Sequence, residues 1–207
     1  MERRIIFATN NEDKMNEIRM ILADLQIPVY SMKQVGIDMD IVEDGSTFED
    51  NAMIKARAIA KLMPTDIILA DDSGLEIEYL DNAPGIYSAR FAGENASYDF
   101  KNNLLLDKLQ GVPDEQRTAR FVCVIAAIFP DGSSETVRGI MEGRISGEII
   151  GEQGFGYDPI FYMPEYGCTT AQMDPVLKNE LSHRGKALRA MSELIEKKVN
   201  DEDTNCQ

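Results

Sequence analysis

A long hairpin constrains the fold of this chain more than any other feature of the sequence. Residues 117–129 read RTARFVCVIAAIF, and this apolar, β-branched and partly alternating stretch predicts a long buried strand. Asp131 and Gly132 follow as a hairpin turn signal, and residues 134–150 return as the second arm. An ordinary strand has about five or six residues. Two arms of this length therefore predict a curved, mixed sheet.

Helical and strand periodicities alternate along the rest of the chain. Apolar residues at helical spacing predict helices over residues 12–25, 48–62, 97–109 and 183–198. Short apolar runs predict further strands over residues 4–8, 28–32, 67–70 and 75–78. This alternation predicts an α/β fold: an elongated central mixed β-sheet flanked by helices, in two lobes with a substrate cleft between them.

No repeat, linker or low-complexity block divides the sequence. We therefore expect a single domain of two lobes over residues 1–199, followed by a flexible acidic C-terminal tail over residues 200–207. Residues 81–95 contain Pro84, Gly85 and Gly93 and read as a long ordered loop. Loops of this length in compact domains often carry function.

Charge and composition narrow the class of protein. The net charge of −15 argues against nucleic acid as the main partner, although a local basic pocket can still bind a small anion. No apolar run approaches the roughly 20 residues that span a bilayer, and the first residues lack a signal-peptide pattern. We expect a cytoplasmic protein with no membrane partner. Three widely spaced cysteines and one histidine predict neither a zinc site nor a disulfide framework, and Cys123 is expected in the core.

Two adjacent carboxylates form the most suggestive chemical feature. The apolar residues 67–70 lead directly into Asp71, Asp72, Ser73 and Gly74. A buried strand that ends in paired acids delivers negative charge to the rim of a sheet, where it can hold Mg²⁺ and orient a water molecule. Glu43, from a separate polar turn, can share the same ion. The alternatives are a simple polar turn at residues 71–74 and a solvated loop acid at position 43.

A polar turn between the first strand and the first helix is a candidate phosphate site. Helix amides that follow such a turn can bind an anion, and a lysine adds a positive charge. The turn lacks the glycines and the GK[ST] ending of a P-loop, and a structural helix cap remains the alternative. The residues concerned are Thr9, Asn10, Asn11, Glu12, Asp13 and Lys14.

Two segments near the C-terminus are candidates for binding a base. In the glycine-rich loop at residues 154–159, two glycines permit close backbone approach and two aromatic rings can stack on a base. The candidate contacts in this loop are Phe155, Gly156, Tyr157 and Asp158. Further along the chain, Lys178, His183 and Arg184 can donate hydrogen bonds to a carbonyl or phosphate oxygen. A bend with aromatic anchors and a structural histidine are the alternatives.

Taken together, these motifs resemble those of the inosine/xanthosine triphosphate pyrophosphatases. The resemblance runs from about Ile5 to Met191 and consists of collinear segments. They are FATNNEDKMNEI, EDGSTFEDNAMIKARAIA, ADDSGLEI, APGIYSARFAGE, RTARFVCVIA, GFGYDPIF and LSHRGKALRAM.

The resemblance implies a Mg²⁺-dependent homodimeric enzyme that hydrolyses ITP, dITP and XTP to the monophosphate and pyrophosphate. It implies that Asp72 is the catalytic base and a metal ligand, with Glu43 as the second metal carboxylate, and that Ser73 contacts substrate. It assigns residues 9–14 to the phosphates, and residues 155–158 with Lys178, His183 and Arg184 to the base.

One departure and two alternatives accompany this interpretation. Glu12 and Asp13 place negative charge where the family often has Pro-Gly, which is expected to affect phosphate binding or metal demand. A non-catalytic nucleotide-binding module would not need Asp72 and a second acid. An aspartyl-phosphate phosphatase would use Asp71 or Asp72 as nucleophile and release orthophosphate.

Overall fold

The computed structural model describes residues 3–205, without the side chains of Asp13, Glu202, Asp203 and Asn205. In this part of the chain there are eight strands and five α-helices. The strands are β1 (Ile5–Phe7), β2 (Val29–Ser31), β3 (Ile67–Ile77), β4 (Ala83–Pro84), β5 (Thr118–Ile128), β6 (Ser134–Ile145), β7 (Phe161–Met163) and β8 (Cys168–Thr169). The helices are α1 (Glu12–Ile21), α2 (Phe48–Ala60), α3 (Tyr98–Lys108), α4 (Pro175–Leu181) and α5 (His183–Asn205).

The strands form one mixed sheet in the order β2-β1-β3-β5-β6-β7-β8, and β4 pairs with β3. Strand β1 runs parallel to β2 and β3, whereas β7 runs antiparallel to β6 and β8. The prediction of an α/β fold with a mixed central sheet is therefore confirmed. No described helix is both long and apolar enough to cross a membrane.

The chain divides into two compact units, with boundaries inside β3, β5, β6 and α5. Unit 1 comprises Met1–Asp72, Cys123–Gly139 and Arg184–Gln207, and unit 2 comprises Ser73–Val122 and Ile140–His183. Each unit has its own apolar core. The predicted cleft between two lobes stays a prediction, as does the flexible tail, whose last residues 206–207 (including Cys206) lie outside the described part of the chain.

Helix α1 and helix α5 pack on one face of the sheet in unit 1. Ile5 and Phe7 of β1 and Ile67 and Leu69 of β3 belong to the same buried cluster as apolar residues of α1 and α5. Because side chains alternate along a strand, Asp71 continues this row and Asp72 lies on the opposite face. The wholly buried Cys123 belongs to this cluster, as predicted, and burial raises the pKa of its thiol to about 12.

Strand β3 is the main correction to the predicted elements. The sequence predicts two strands separated by a polar turn at residues 71–74, but β3 continues from Ile67 through Ile77. Asp71 and Asp72 therefore lie inside the strand, and both are buried. Turn-forming residues remain extended here because helices supply cations and an amide that compensate the buried charges.

Several element ends differ from the prediction. Helix α1 ends at Ile21 and is followed by a 3₁₀ turn, Ala23–Leu25. Strand β6 ends at Ile145 rather than residue 150, and α5 continues past residue 198 to Asn205. Helix α4 was not predicted: its seven residues are too few for a clear apolar period, although Asp174 caps it and Pro175 begins it.

Candidate active site

Three residues of unit 1 are grouped around the carboxylate of Asp72. Asn51 of α2 donates through Nδ2 to Asp72 Oδ2 at 3.1 Å. Lys55, one helical turn later, places Nζ 3.9 Å from Asp72 Oδ1 and 3.1 Å from Glu43 Oε2. The structure thus brings the two predicted metal carboxylates to a common lysine.

The start of helix α2 fixes this arrangement. Thr47 caps the helix by accepting a hydrogen bond from Asp50 N. The amide N–H of Gly45 donates to Asn51 Oδ1 at 2.9 Å, so Asn51 joins the polar turn to Asp72. A Cβ on Gly45 would lie 2.7 Å from Asn51 Oδ1, and only glycine lets the turn approach this closely. The turn that carries Glu43 is thereby held against α2.

The environment of Asp72 suits a base that works near neutral pH. Burial, together with the smaller effects of the neighbouring Glu43 and Asp71, raises the pKa of its carboxyl to about 6, although Lys55 and Asn51 act in the lowering direction. A carboxylate with such a pKa can accept a proton from water and release it again.

Asp71 contacts a different set of residues in unit 1. Lys14 donates through Nζ to both carboxylate oxygens of Asp71, at 2.9 and 3.1 Å. Arg184 NH2 lies 3.6 Å from Asp71 Oδ2, and Arg184 NH1 donates to Glu17 Oε2 at 2.7 Å. Burial opposes ionisation of Asp71, but Lys14 and Arg184 outweigh it and hold its pKa well below the ordinary value. Lys14 and Arg184, both predicted to contact substrate, are thus joined by Asp71.

The predicted phosphate turn is largely engaged in local structure. Asn11 caps α1 by accepting from Lys14 N, Thr9 Oγ1 accepts from Asn11 N, and Asn10 Oδ1 accepts from Lys33 N at 3.0 Å. Glu12 is exposed. The cap interpretation is therefore confirmed for Asn11, and phosphate binding by this turn stays a prediction.

In unit 2, Asp158 organises the glycine-rich loop. Its Oδ2 accepts from Phe155 N at 2.8 Å and from Lys178 Nζ at 2.7 Å, while Oδ1 accepts from Thr170 Oγ1 at 2.8 Å. The Lys178 ammonium also lies 5.1 Å from the centre of the Phe155 ring. Three of the predicted base-binding residues thus form one cluster, and most of the acceptor capacity of Asp158 is used within it.

His183 and Ser73 complete the predicted set. The His183 ring stacks on Phe121 with 4.8 Å between ring centres and 16° between planes. The half-buried Ser73 follows Asp72 in β3.

The donor set around Asp72 fits a magnesium ion. Mg²⁺ commonly takes one or two protein carboxylates and completes its octahedral shell with water and substrate phosphates. Asp72 and Glu43 supply two carboxylates around one cation, Lys55. Two carboxylates match the number that Mg²⁺ commonly takes from a protein.

A model of the Ham1 family matches residues 5–194 of this sequence. The chain belongs to the Ham1 family. The match covers both units, including every residue assigned above to the site.

Relatives with similar sequences and structures accompany this Ham1 match. The chain is 44% identical over 196 residues to the dITP/XTP pyrophosphatase of Clostridium perfringens, covering 92% of this chain and 96% of the relative. It is 47% identical over 192 residues to the protein of the same name from Desulforamulus reducens, covering 93% and 95%. The Ham1 protein of Staphylococcus aureus superposes with a TM-score of 0.85 at 41% identity, over 95% of this chain and 100% of that one. The HAM1 protein from Coxiella burnetii superposes with a TM-score of 0.86 at 41% sequence identity, over 94% of this chain and 99% of that one.

Sequence reasoning missed five residues that shape the site in this Ham1 chain. Each holds a predicted residue in place through its side chain. They are Asn51, Lys55, Glu17, Thr170 and Phe121. The sequence did contain a signal for Lys55. Two carboxylates close together are stabilised by a cation, and Lys55 lies in the predicted helix that follows Glu43, one turn after Asn51.

Gly154 offers a test of the Asp158 cluster. Its φ is +76°, and a Cβ would overlap Asp158 Oδ2 and lie 3.0 Å from Lys178 Nζ. We expect Gly154→Ala to lower the free energy of unfolding by about 3 kcal/mol, because it adds displacement of Asp158 to the cost of a left-handed alanine. Gly167→Ala is the matched control, since Gly167 has φ +65° with nothing within 4 Å, and should cost about 1 kcal/mol. Urea denaturation measures both, and equal losses would contradict this account of the loop.

Proposed function

We propose that this chain hydrolyses non-canonical purine nucleoside triphosphates (ITP, dITP and XTP) to the monophosphate and pyrophosphate, removing deaminated purines from the nucleotide pool. The observation that carries the proposal is the buried carboxyl of Asp72, whose pKa is raised to about 6, beside Glu43 and Lys55. Curated relatives at 44–47% identity bear the name dITP/XTP pyrophosphatase, which supports the substrate class.

The reaction is attack of water on the α-phosphorus. The oxygen of water forms a bond to phosphorus, the bond to the oxygen that bridges the α- and β-phosphates breaks, and pyrophosphate leaves with the electron pair. Asp72 accepts the proton of the attacking water. Asn51 holds Asp72 Oδ2 at 3.1 Å and so fixes the direction of the carboxylate.

Asp72 and Glu43 would hold Mg²⁺. A bound magnesium ion supplies positive charge that stabilises the developing charge on the phosphate oxygens. Lys55 contacts both carboxylates and offsets the repulsion between them.

The remaining predicted residues are assigned to substrate binding. Lys14 and the amides that begin α1 would bind the phosphates. Phe155 and Lys178 are proposed to contact the base, while Asp158 positions them both.

Selectivity is proposed to rest on position 6 of the purine. Hypoxanthine and xanthine carry a carbonyl acceptor there, whereas adenine carries an amino donor. Protein donors at this position, among them His183 or Arg184, would be left unpaired by adenine. A buried unpaired donor costs about 1–3 kcal/mol, so two or more of them give large discrimination.

We further propose that the protein works as a cytoplasmic homodimer. The support is the resemblance to the pyrophosphatase family, and sedimentation equilibrium of the full chain tests the dimer directly.

A nucleotide panel tests the function. The full chain is incubated with Mg²⁺ and dITP, ITP, XTP, dATP or GTP, and pyrophosphate and orthophosphate are measured separately. We expect pyrophosphate from dITP, ITP and XTP, and loss of activity in a chelator that added Mg²⁺ restores. Turnover of dATP should be much slower because of its group at position 6, and turnover of GTP, which carries the same carbonyl there, should be slower because of its group at position 2. Orthophosphate as the product would favour a phosphatase, and binding of dITP without turnover would favour a nucleotide-binding module.

A further inference from the structure

Asn102, on helix α3 in unit 2, contacts the glycine-rich loop directly. Its side chain is 1% exposed, and Nδ2 donates to the carbonyl oxygen of Gly156 at 3.2 Å. The other side-chain atom, Oδ1, is buried and has no hydrogen-bond partner among the described residues. The orientation of the amide is fixed nonetheless, because exchanging its oxygen and nitrogen would set two acceptors against each other.

A buried acceptor without a partner reduces stability, and an apolar side chain of the same shape would remove that cost. Asn102 therefore contributes something other than packing. What it contributes is the direction of the Gly156 carbonyl.

That direction determines where the next amide points. In a trans peptide the C=O and N–H groups lie in one plane and point in opposite directions. Since Asn102 holds the Gly156 carbonyl towards α3, the N–H of Tyr157 points away from α3. No described residue accepts a hydrogen bond from this N–H. Gly156 has φ +70°, a conformation that favours glycine.

The Tyr157 ring is fixed by separate contacts. Its hydroxyl donates to Ser88 O at 2.7 Å, and its ring meets Tyr98 edge-on with 5.3 Å between centres. Lys101, which like Tyr98 belongs to helix α3, donates to Ala89 O at 2.6 Å and so holds the segment that accepts the Tyr157 hydroxyl. These contacts anchor the side chain of Tyr157 without Asn102. The distinct contribution of Asn102 is therefore the orientation of the Gly156–Tyr157 peptide.

We propose that Asn102 is a positioning residue that sets base specificity by aiming the Tyr157 N–H at the carbonyl on position 6 of the purine. This inference rests on the proposed function. A fixed N–H pairs with the carbonyl of dITP and faces the amino group of dATP without an acceptor. Asn102 touches no reacting atom and acts through the peptide that it holds.

The test compares Asn102→Leu with Asn103→Leu, which makes the same chemical change at the exposed neighbouring residue. The kcat and KM are measured for dITP, for dATP and for the purine deoxyriboside triphosphate that has no group on position 6. For Asn102→Leu we expect the preference for dITP over the unsubstituted purine to fall roughly tenfold, the value of one hydrogen bond. The change should lie mainly in KM, and Asn103→Leu should stay within about twofold of the parent.

Amide NMR gives a second measurement. The Tyr157 N–H resonance should shift in Asn102→Leu, because the peptide that Asn102 holds changes direction, while the amide resonances of unit 1 remain unchanged. Should Asn102→Leu fail to fold, Asn102→Ser carries the same comparison, since serine is too short to reach Gly156 O.

Three outcomes overturn the proposal: an unchanged preference in a folded variant, equal losses of kcat/KM for all three nucleotides, or failure of both variants to fold. Failure of the proposed function is distinct, because it is read from the parent chain, which would then not hydrolyse dITP at all. The Tyr157 amide resonance still reports on Asn102 in that case.

Discussion

Asp72→Asn should lower kcat for dITP at least about a thousandfold and leave the fold intact. Removing a general base typically costs 10²- to 10⁴-fold, and this substitution also removes a carboxylate from the proposed magnesium site. The amide of asparagine has nearly the same shape, so Asn51 and Lys55 keep a polar neighbour. Steady-state release of pyrophosphate measures the loss, and thermal unfolding followed by circular dichroism checks the fold.

Asp66→Asn is the matched control for this experiment. Asp66 is also a buried acid of unit 1 and lies just before β3, but its carboxylate pairs with Arg4 at 2.6 Å. The control should lose some stability and keep kcat within about threefold, because Asp66 has no contact with Asp72 or Glu43. Turnover by Asp72→Asn within tenfold of the parent would remove Asp72 from the role of base.

The broad architecture follows from local patterns in the sequence. The hairpin at Asp131-Gly132 and the helix that Thr47 begins depend on neighbouring residues, which a sequence displays directly. The course of β3 depends on residues far away in the chain: Asp71 and Asp72 stay in an extended strand because Lys14 and Asn51 meet their charges. Local propensity favours a turn at this point, and tertiary contacts override it.

The candidate site likewise contains residues that a local motif indicates and residues that only distant contacts explain. Single motifs indicated Glu43 and Asp72, and the structure places both at Lys55. No local pattern shows that Asn102 contacts Gly156, which lies 54 residues later. The same holds for Glu17 and Arg184, which are 167 residues apart. Such positioning residues are ordinary helix residues by sequence, and only the packing of helix on loop or helix on helix reveals them.

Asp71→Asn should lower the free energy of unfolding by about 3 kcal/mol. Asp71 is 1% exposed and is the carboxylate that Lys14 and Arg184 share. Removing one member of a buried charge cluster leaves the others buried without compensation, which typically costs about 3–5 kcal/mol. Arg184 keeps Glu17 as a partner, so we expect the lower end of that range. For a chain of 207 residues the melting temperature should fall by roughly 6–12 °C.

A double-mutant cycle with Lys14→Met separates the ion pair from general disruption of the core. If Asp71 acts by holding Lys14, the double variant should be more stable than the sum of the two single losses predicts, by about 1–3 kcal/mol. Glu12→Gln is the control for Lys14→Met, because Glu12 lies in the same turn of α1 as Lys14 and is exposed. The stability losses of Glu12→Gln and Asp71→Asn should therefore add. Additivity of Lys14→Met with Asp71→Asn would mean that Asp71 stabilises the fold without binding Lys14. Coupling would instead identify Asp71 as the residue that keeps Lys14 in place before substrate binds.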